Sequence, residues 1–413
     1  MAQNARIGKT YDNRPSNIIL PRSKSLSVQT IKKWRDALAL AQLAENQNCA
    51  PLFELYDSIM LDSHLAALIE TRTLKIMQSK FKIVDQSGKD NPELIKLFEQ
   101  PWFNSFIYHS IMAKFKGRTV VELWDLDPLT MELASVNYIP GENVLPHKGL
   151  ITKEVGDEKG YPYKDGPLAN YYIQIGKNND LGLLKDVAPD VLTKKFTKAS
   201  WQELVEKEGI PPRWVVTDSY SETRENELAD MMQNMVSNHW AVLKGNEKIE
   251  IANTGAATRY EIFEKLMSFM NSEITKRVLG QDGTTDTNST GTYGSLKVMQ
   301  GVSDDRHDAD KTDIKYIINK ELFPRLALIS PVYSQLANYL FDWDDSKEAT
   351  ADEIVSMVEK LEKSGLQVDI KFISDKTGIP ITGRKSDTSQ EPAPGSEKKK
   401  PTKQPVAFYR TKL

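Results

Sequence analysis

Residues 278–298 read VLGQDGTTDTNSTGTYGSLKV. Within them, Gly280 to Ser295 hold four Gly, many Thr and almost no large apolar side chain. Such a segment has nothing to bury in a core and is expected to be a mobile loop. Helical patterns flank it on both sides. Upstream, Thr258 to Leu279 place Ile262, Phe263, Leu266, Met267, Met270, Ile274 and Val278 on one face at helical spacing. Downstream, Leu296 to Leu322 read as a long helix, ended or kinked by Pro324.

Further upstream a second helix, Asp186 to Glu208, stops at the breaker Gly209-Ile210-Pro211-Pro212. Between the two helices lies a short mixed stretch. It comprises a strand at Pro212 to Thr217, a helix at Glu222 to His239, a strand at Trp240 to Leu243, the turn Gly245-Asn246 and a strand at Lys248 to Ala252. A helix pair therefore flanks a compact insert, and its apolar stripes are too narrow for full burial. Surface from neighbouring copies in a cyclic assembly would cover them.

The N-terminal part reads as α+β. Residues 1–26 are a polar arm with little core of its own. Helical patterns follow at Ser27 to Leu43 and at Leu52 to Lys80, the latter with an internal start at Asp62 or Ser63. Strands are expected at Phe81 to Asp85, Thr119 to Asp125, Glu132 to Ile139 and Asn170 to Ile175. Helices are expected at Pro92 to Phe98 and Ile107 to Lys116, and Asp127-Pro128 turns a hairpin. Beyond Pro324, helical patterns run from Ile329 towards Leu340 and over Thr350 to Ser364, followed by a segment at Val368 to Ile373 and a short helix near Ser374 to Thr377. From about Gly383 the composition is that of a disordered tail.

Charge and motif content narrow the function. Lys plus Arg number 54 against 57 Asp plus Glu, a net charge of −3. That balance argues against tight nucleic-acid binding, which rests on many phosphate-neutralising cations, but not against a protein that surrounds DNA and lets it slide. One cysteine, Cys49, supports neither an intrachain disulfide nor a multi-cysteine zinc site. No apolar run reaches the ~18 residues of a spanning helix, and the polar N-terminus is no signal peptide, so a cytoplasmic origin is expected. Nucleotide-cradle, nucleophile-elbow and HExxH motifs are missing, and His64, His109, His147, His239 and His307 are scattered. The run Asp304 to Asp310 offers carboxylates at i and i+4, readable as a solvated or inter-subunit helix face or as a metal site for a nuclease. The loop at 280–295 lacks the lysine and preceding strand of a phosphate cradle.

Several strings resemble the Mu-like phage portal family. They are LDSHLAALIETRTLKIMQSKFKIVD at 61–85, GRTVVELWD at 117–125, LKDVAPDVLTKKFTKASWQELVEKEGIPPRWV at 184–215, and the Leu-Gly-Gln plus Thr-rich loop at 278–298. The loop is longer in Asp, Asn and Thr than that family's pattern, and the tail after Arg384 has no counterpart in it. The resemblance implies an α+β portal fold assembling into a closed dodecameric ring with a central channel. Its parts would be an N-terminal arm at 1–26, a wing at 27–182, a stem helix at 183–209, a clip at 210–255 and a second stem helix at 256–280. A tunnel loop at 281–295, a long wing helix at 296–344, a reduced crown at 345–383 and a disordered tail at 384–413 would follow.

On that plan the loop residues Gln281, Asp282, Thr284, Thr285, Asp286, Thr287, Asn288, Ser289, Thr290 and Thr292 meet the duplex, with Asp282 and Asp286 repelling phosphate. Lys194, Lys195, Lys198, Lys265 and Lys276 are candidates to face the tunnel, although the first three also fit an ordinary solvated face. Arg213, Glu222, Arg224, Lys244, Asn246 and Lys248 are candidates to face terminase at the clip. The implied protein has no catalytic residue, cofactor, metal or membrane contact. Its implied partners are other copies of itself, double-stranded DNA without sequence preference, the large terminase subunit, head-completion or adaptor proteins, and the major capsid or scaffold protein. It would reside at the capsid portal vertex of the virion after assembly in the host bacterial cytoplasm. A ring-forming head–tail connector that docks no motor is the alternative.

Overall fold

The computed structural model describes residues 15–19, 28–43, 47–208, 213–234, 243–251, 256–283, 293–344 and 351–364. Helix α1 (Ile31–Ala41) starts where the Thr30 hydroxyl accepts from the Lys33 N–H. The 52–80 pattern resolves into α2 (Ala50–Ile59) and α3 (Ser63–Met77). Asp62 makes the break, because its carboxylate caps α3 by accepting from the His64 and Leu65 N–H groups. Strand β1 (Phe81–Val84) and α4 (Pro92–Phe98, capped by Asn91) fall where expected. Helix α5 (Pro101–Lys116) begins six residues before the expected Ile107, because Pro101 occupies the first turn, where no N–H is needed.

Strands β2 (Arg118–Leu126) and β3 (Leu133–Ile139) form the expected hairpin, with its register shifted between Glu122 and Asp125. Short strands β4 (Val144–Leu145), β5 (Leu150–Thr152) and β6 (Gly160–Pro162) make a small antiparallel sheet that the sequence reading missed, being too short to show alternation. Strand β7 (Tyr172–Gly176) pairs with the other edge of β2, giving the order β3-β2-β7. The arm is not wholly free of the core: Pro15–Ile18 form one helical turn, and Ser16 Oγ donates to the buried Glu122 at 2.7 Å.

Helix α6 (Leu184–Glu208) carries Pro189 near its start. The insert between the two helices contains β8 (Arg213–Val216), α7 (Glu222–Asn234) and β9 (Lys248–Ile251), with β8 and β9 antiparallel. The expected strand Trp240 to Leu243 and the end of the 222–239 helix fall largely outside the described residues. Helix α8 (Ala256–Leu279) follows. Helix α9 (Tyr293–Ile317) starts earlier than expected, so Tyr293 to Ser295 belong to helix and not to the loop.

Pro324 does not end the long helix. A π-helical turn at Ile318–Leu322 passes the chain into α10 (Phe323–Ile329), and the wider turn accommodates the proline's missing N–H. The helix expected from Ile329 towards Leu340 is instead a 3₁₀ segment, Pro331–Asn338, ending in strand β10 (Leu340–Trp343). That strand forms because β1 supplies a partner, Phe81 opposite Trp343, and the Phe81 and Phe341 rings stack at 5.5 Å. The core of this unit is aromatic, with Phe53, Phe98, Phe103, Phe106, Phe115 and Phe323 fully buried among α2–α5 and α10.

The chain divides into two units, Met1–Asp344 and Asp345–Leu413. In the second unit the amphipathic helix α11 (Ala351–Lys363) matches the expected 350–364 helix. The expected elements at 368–377 and the tail lie outside the described residues.

Candidate functional site

The N-terminal half of α6 is buried through Leu184, Val187, Ala188, Val191 and Leu192, whereas Phe196 and Lys198 beyond it are exposed. In α8 the gradient reverses: Ile262 and Phe269 are exposed, and Ile274, Val278 and Leu279 are buried. One helix therefore leaves the core and the other returns to it. They pack along their length, with the rings of Trp201 and Phe263 stacked at 6.3 Å and 7°.

The returning helix ends at a clamp. Gly280 takes φ +88, and a side chain there would strike the Arg306 guanidinium at 2.6 Å, so only glycine allows both the turn and the arginine's approach. Arg306 Nη1 donates to the Arg277 carbonyl at 2.6 Å, and Arg72 Nη1 donates to the Val278 carbonyl at 2.7 Å. Two cations thus satisfy carbonyls at the negative end of α8 that have no partner within the helix.

Arg72 reaches further. Its Nε and Nη2 clasp both oxygens of Asp310 on α9, at 2.7 and 3.0 Å, and Lys114 of α5 adds a third contact at 2.6 Å. Arg72 and Asp310 are both buried. Burial opposes ionisation of Asp310, but the hydrogen bond and charge of Arg72, followed by those of Lys114, hold its carboxyl below the ordinary range. Helices α3, α5, α8 and α9 are thereby tied together at the point where the loop begins.

Of the expected loop residues, Gln281 is buried, so it is not offered to a channel by this subunit. Asp282 is also not free to repel phosphate: Ser272 Oγ donates to it and Lys276 Nζ lies 3.5 Å away, which folds the loop root back onto α8. The Ser272 hydrogen bond lowers its pKa against a smaller opposing effect of burial. Thr284, Thr285, Asp286, Thr287, Asn288, Ser289, Thr290 and Thr292 lie outside the described residues.

The lysine candidates separate. Lys194 is buried and paired with Asp62 at 2.9 Å, a correction to its expected tunnel-facing place. Its helical position turns it towards the α2–α3 junction, where burial disfavours the Asp62 charge but the Lys194 hydrogen bond and the Leu65 N–H hold the carboxyl low. Lys195 donates to the Ser58 carbonyl at 2.6 Å and also faces inward. Lys198 and Lys265 are exposed, Lys265 with Glu261 as an i,i+4 partner, and Lys276 is shared between Glu273 and Asp282.

In the insert, Glu222, Lys244, Asn246 and Lys248, the residues expected to face terminase, are exposed. Arg224 is instead committed within the module. It bonds both Glu247 oxygens, at 2.9 and 2.6 Å, and Glu227 at 2.7 Å. Those bonds, with the Lys244 N–H, bring Glu247 down to about 2. Arg213 lies on β8, opposite Ile251.

The acidic run also departs from a solvated face. Asp310 and His307 are buried, Asp304 is half-exposed and pairs with Lys75, and Asp305 and Asp308 are exposed. Sequence reasoning passed over Arg72 as a functional residue. Its signal was present, because it shares the apolar face of Leu65, Leu68, Ile69 and Ile76, and a cation on a buried face requires a partner.

These features define the protein class: an α+β portal-type fold with a projecting helix pair and a clamped loop root. The chain belongs to the portal protein family of Mu bacteriophage, which it matches over residues 53–379. Solved structures resemble it distantly. An HK97 family phage portal protein from Corynebacterium diphtheriae is 8% identical and has a TM-score of 0.37, with 70% of this chain and 94% of that one covered. The neck of an empty GTA particle, computed with C6 symmetry, is 11% identical with a TM-score of 0.49, covering 79% and 94%. The neck of a native GTA particle, computed with C12 symmetry, is 11% identical with a TM-score of 0.44, covering 84% and 94%. No curated protein matches the chain.

Proposed function

We propose that copies of this chain close into a dodecameric ring whose channel conducts double-stranded DNA at the capsid portal vertex. The observation that carries this reading is family membership across most of the chain, joined to the helix pair that projects from the core. Phe196, Ile262 and Phe269 stand exposed on that pair, and a neighbour in a ring would cover them. Residues 284–292 would meet the duplex through small polar side chains. Contacts of that kind read shape rather than bases and keep phosphate affinity low enough for sliding.

Lys198 and Lys265 are the remaining lysines suited to face the channel. Glu222, Lys244, Asn246 and Lys248 would offer the clip surface to the large terminase subunit, and later to head-completion or adaptor proteins. Nucleation of head assembly with the major capsid or scaffold protein, in the host bacterial cytoplasm, belongs to the same reading. The role is structural: the motor chemistry is assigned to terminase. Asp310, the carboxylate of the acidic run most deeply placed, is already committed to Arg72 and Lys114.

Native mass spectrometry of the purified full chain tests the reading. A single closed oligomer of about a dozen subunits is expected, and a monomer at all concentrations would end it. Stimulation of terminase ATPase by that ring separates a portal from a connector that docks no motor.

A further inference from the structure

A second feature lies beside the clamp, within a single subunit. A cavity of about 430 Å³ opens between α3, α5, the start of α6, α8 and α9. Arg72, Lys114, Lys185, Arg277 and Arg306 line it, against three carboxylates, Asp180, Asp186 and Asp310. Most of these charges are already matched. Asp310 holds Arg72 and Lys114, and Asp186 holds Arg277.

Arg306 and Lys185 are not matched. Arg306 gives Nη1 to a backbone carbonyl, and among the described residues its Nε and Nη2 have no hydrogen-bond partner and no carboxylate forms an ion pair with it, although Asp310 acts on its charge from further off. Lys185 uses its carbonyl to accept from Trp34 Nε1, and its ammonium has no partner among the described residues. Arg306 is half-buried, with two other guanidiniums close enough that burial, then Arg72, then Arg277, weigh against its charge more than Asp310 favours it. Gly280 is what admits it to this position.

A partly desolvated guanidinium with one edge uncommitted, beside a free ammonium, is the arrangement that binds an oxyanion. We propose that this cavity is a phosphate site, with Arg306 as the bidentate donor and Lys185 as the second cation. The phosphate is either free in solution or carried on a nucleic-acid backbone. The ligand would bridge Arg306 to the wall of the pocket and relieve the repulsion among the three arginines.

The test is calorimetric titration of the full chain with inorganic phosphate against chloride at matched ionic strength. Arg306→Gln and Lys185→Gln are run beside it. Lys185→Gln leaves the α8 clamp intact and carries the test if Arg306→Gln does not fold. Saturable phosphate binding is expected, weakened at least about tenfold by either substitution, the loss typical of a charge-assisted hydrogen bond. A short DNA duplex added in a second arm assigns the source. Displacement of phosphate by duplex indicates a backbone phosphate, and indifference to duplex indicates the free ion. No saturable binding, or equal binding by wild type and both variants, overturns the site. Loss of ring assembly in Arg306→Gln with no phosphate binding by the wild type overturns it too, and would give Arg306 to a carboxylate on a neighbouring copy.

Discussion

Arg72 and Asp310 are each costly to bury alone and acceptable together, because three hydrogen bonds and two opposite charges replace the lost water. Removing one partner leaves the other charge stranded. Asp310→Ala is therefore expected to lower the unfolding free energy by about 3–5 kcal/mol, read from urea midpoints. A half-buried histidine gives a pH dependence. His109 stacks on Tyr138 at 5.1 Å, and burial, then the nearby Lys116 charge, push its pKa from 6.5 to about 4. Its proton is bound more readily by the unfolded chain, so stability falls as pH drops from 6.5 to about 4, and this residue causes no further loss below that. Thermal midpoints across that range should decline less steeply for His109→Gln than for the wild type. His307, also lowered, first by burial and then by Lys75, contributes the same sign and remains in both proteins.

The elements that matter most are α8, the loop root and α9. The clamp fixes where α8 stops and hence where the chain leaves it at Gln281. Gly280→Ala places a side chain at φ +88 and against Arg306. A loss of about 1–2 kcal/mol for the left-handed backbone alone is expected, and differential scanning calorimetry would detect it. Deleting Thr284 to Thr292 should leave ring assembly intact, because it spares the described clamp, but should impair DNA packaging or retention in a packaging assay. Unfolding of that deletion variant would show that the segment belongs to a core. Helix α8, the end of α6 and the Asp62 cap were legible in the chain, since apolar spacing, Gly-Ile-Pro-Pro and a capping aspartate act locally. Strand β10 was not. Leu340–Trp343 read as the end of a helix, and their pairing is decided by β1, more than two hundred residues away in sequence.

At the scale of the whole molecule, the projecting helix pair leaves apolar surface that one subunit does not cover. Phe196 is 75% exposed and Phe269 57%. Phe196→Glu should leave the fold of the subunit intact by circular dichroism and shift mass photometry from ring towards smaller species. An unchanged ring would remove that face from the interface.

The sequence by itself determined the helix pair, the Gly/Thr segment between long helices, the α+β character of the N-terminal half and the family, because each is written in local spacing or in contiguous strings. It did not place the charges. Lys194, Gln281, Asp282 and Asp310 carry polar side chains that composition assigns to solvent, and the folded chain turns each of them inward or back onto α8. Only the tertiary structure decides this. A charge may be buried wherever a partner waits, and here the partners (Asp62, Ser272 and Arg72 among them) come from other turns and distant helices that no local pattern brings together.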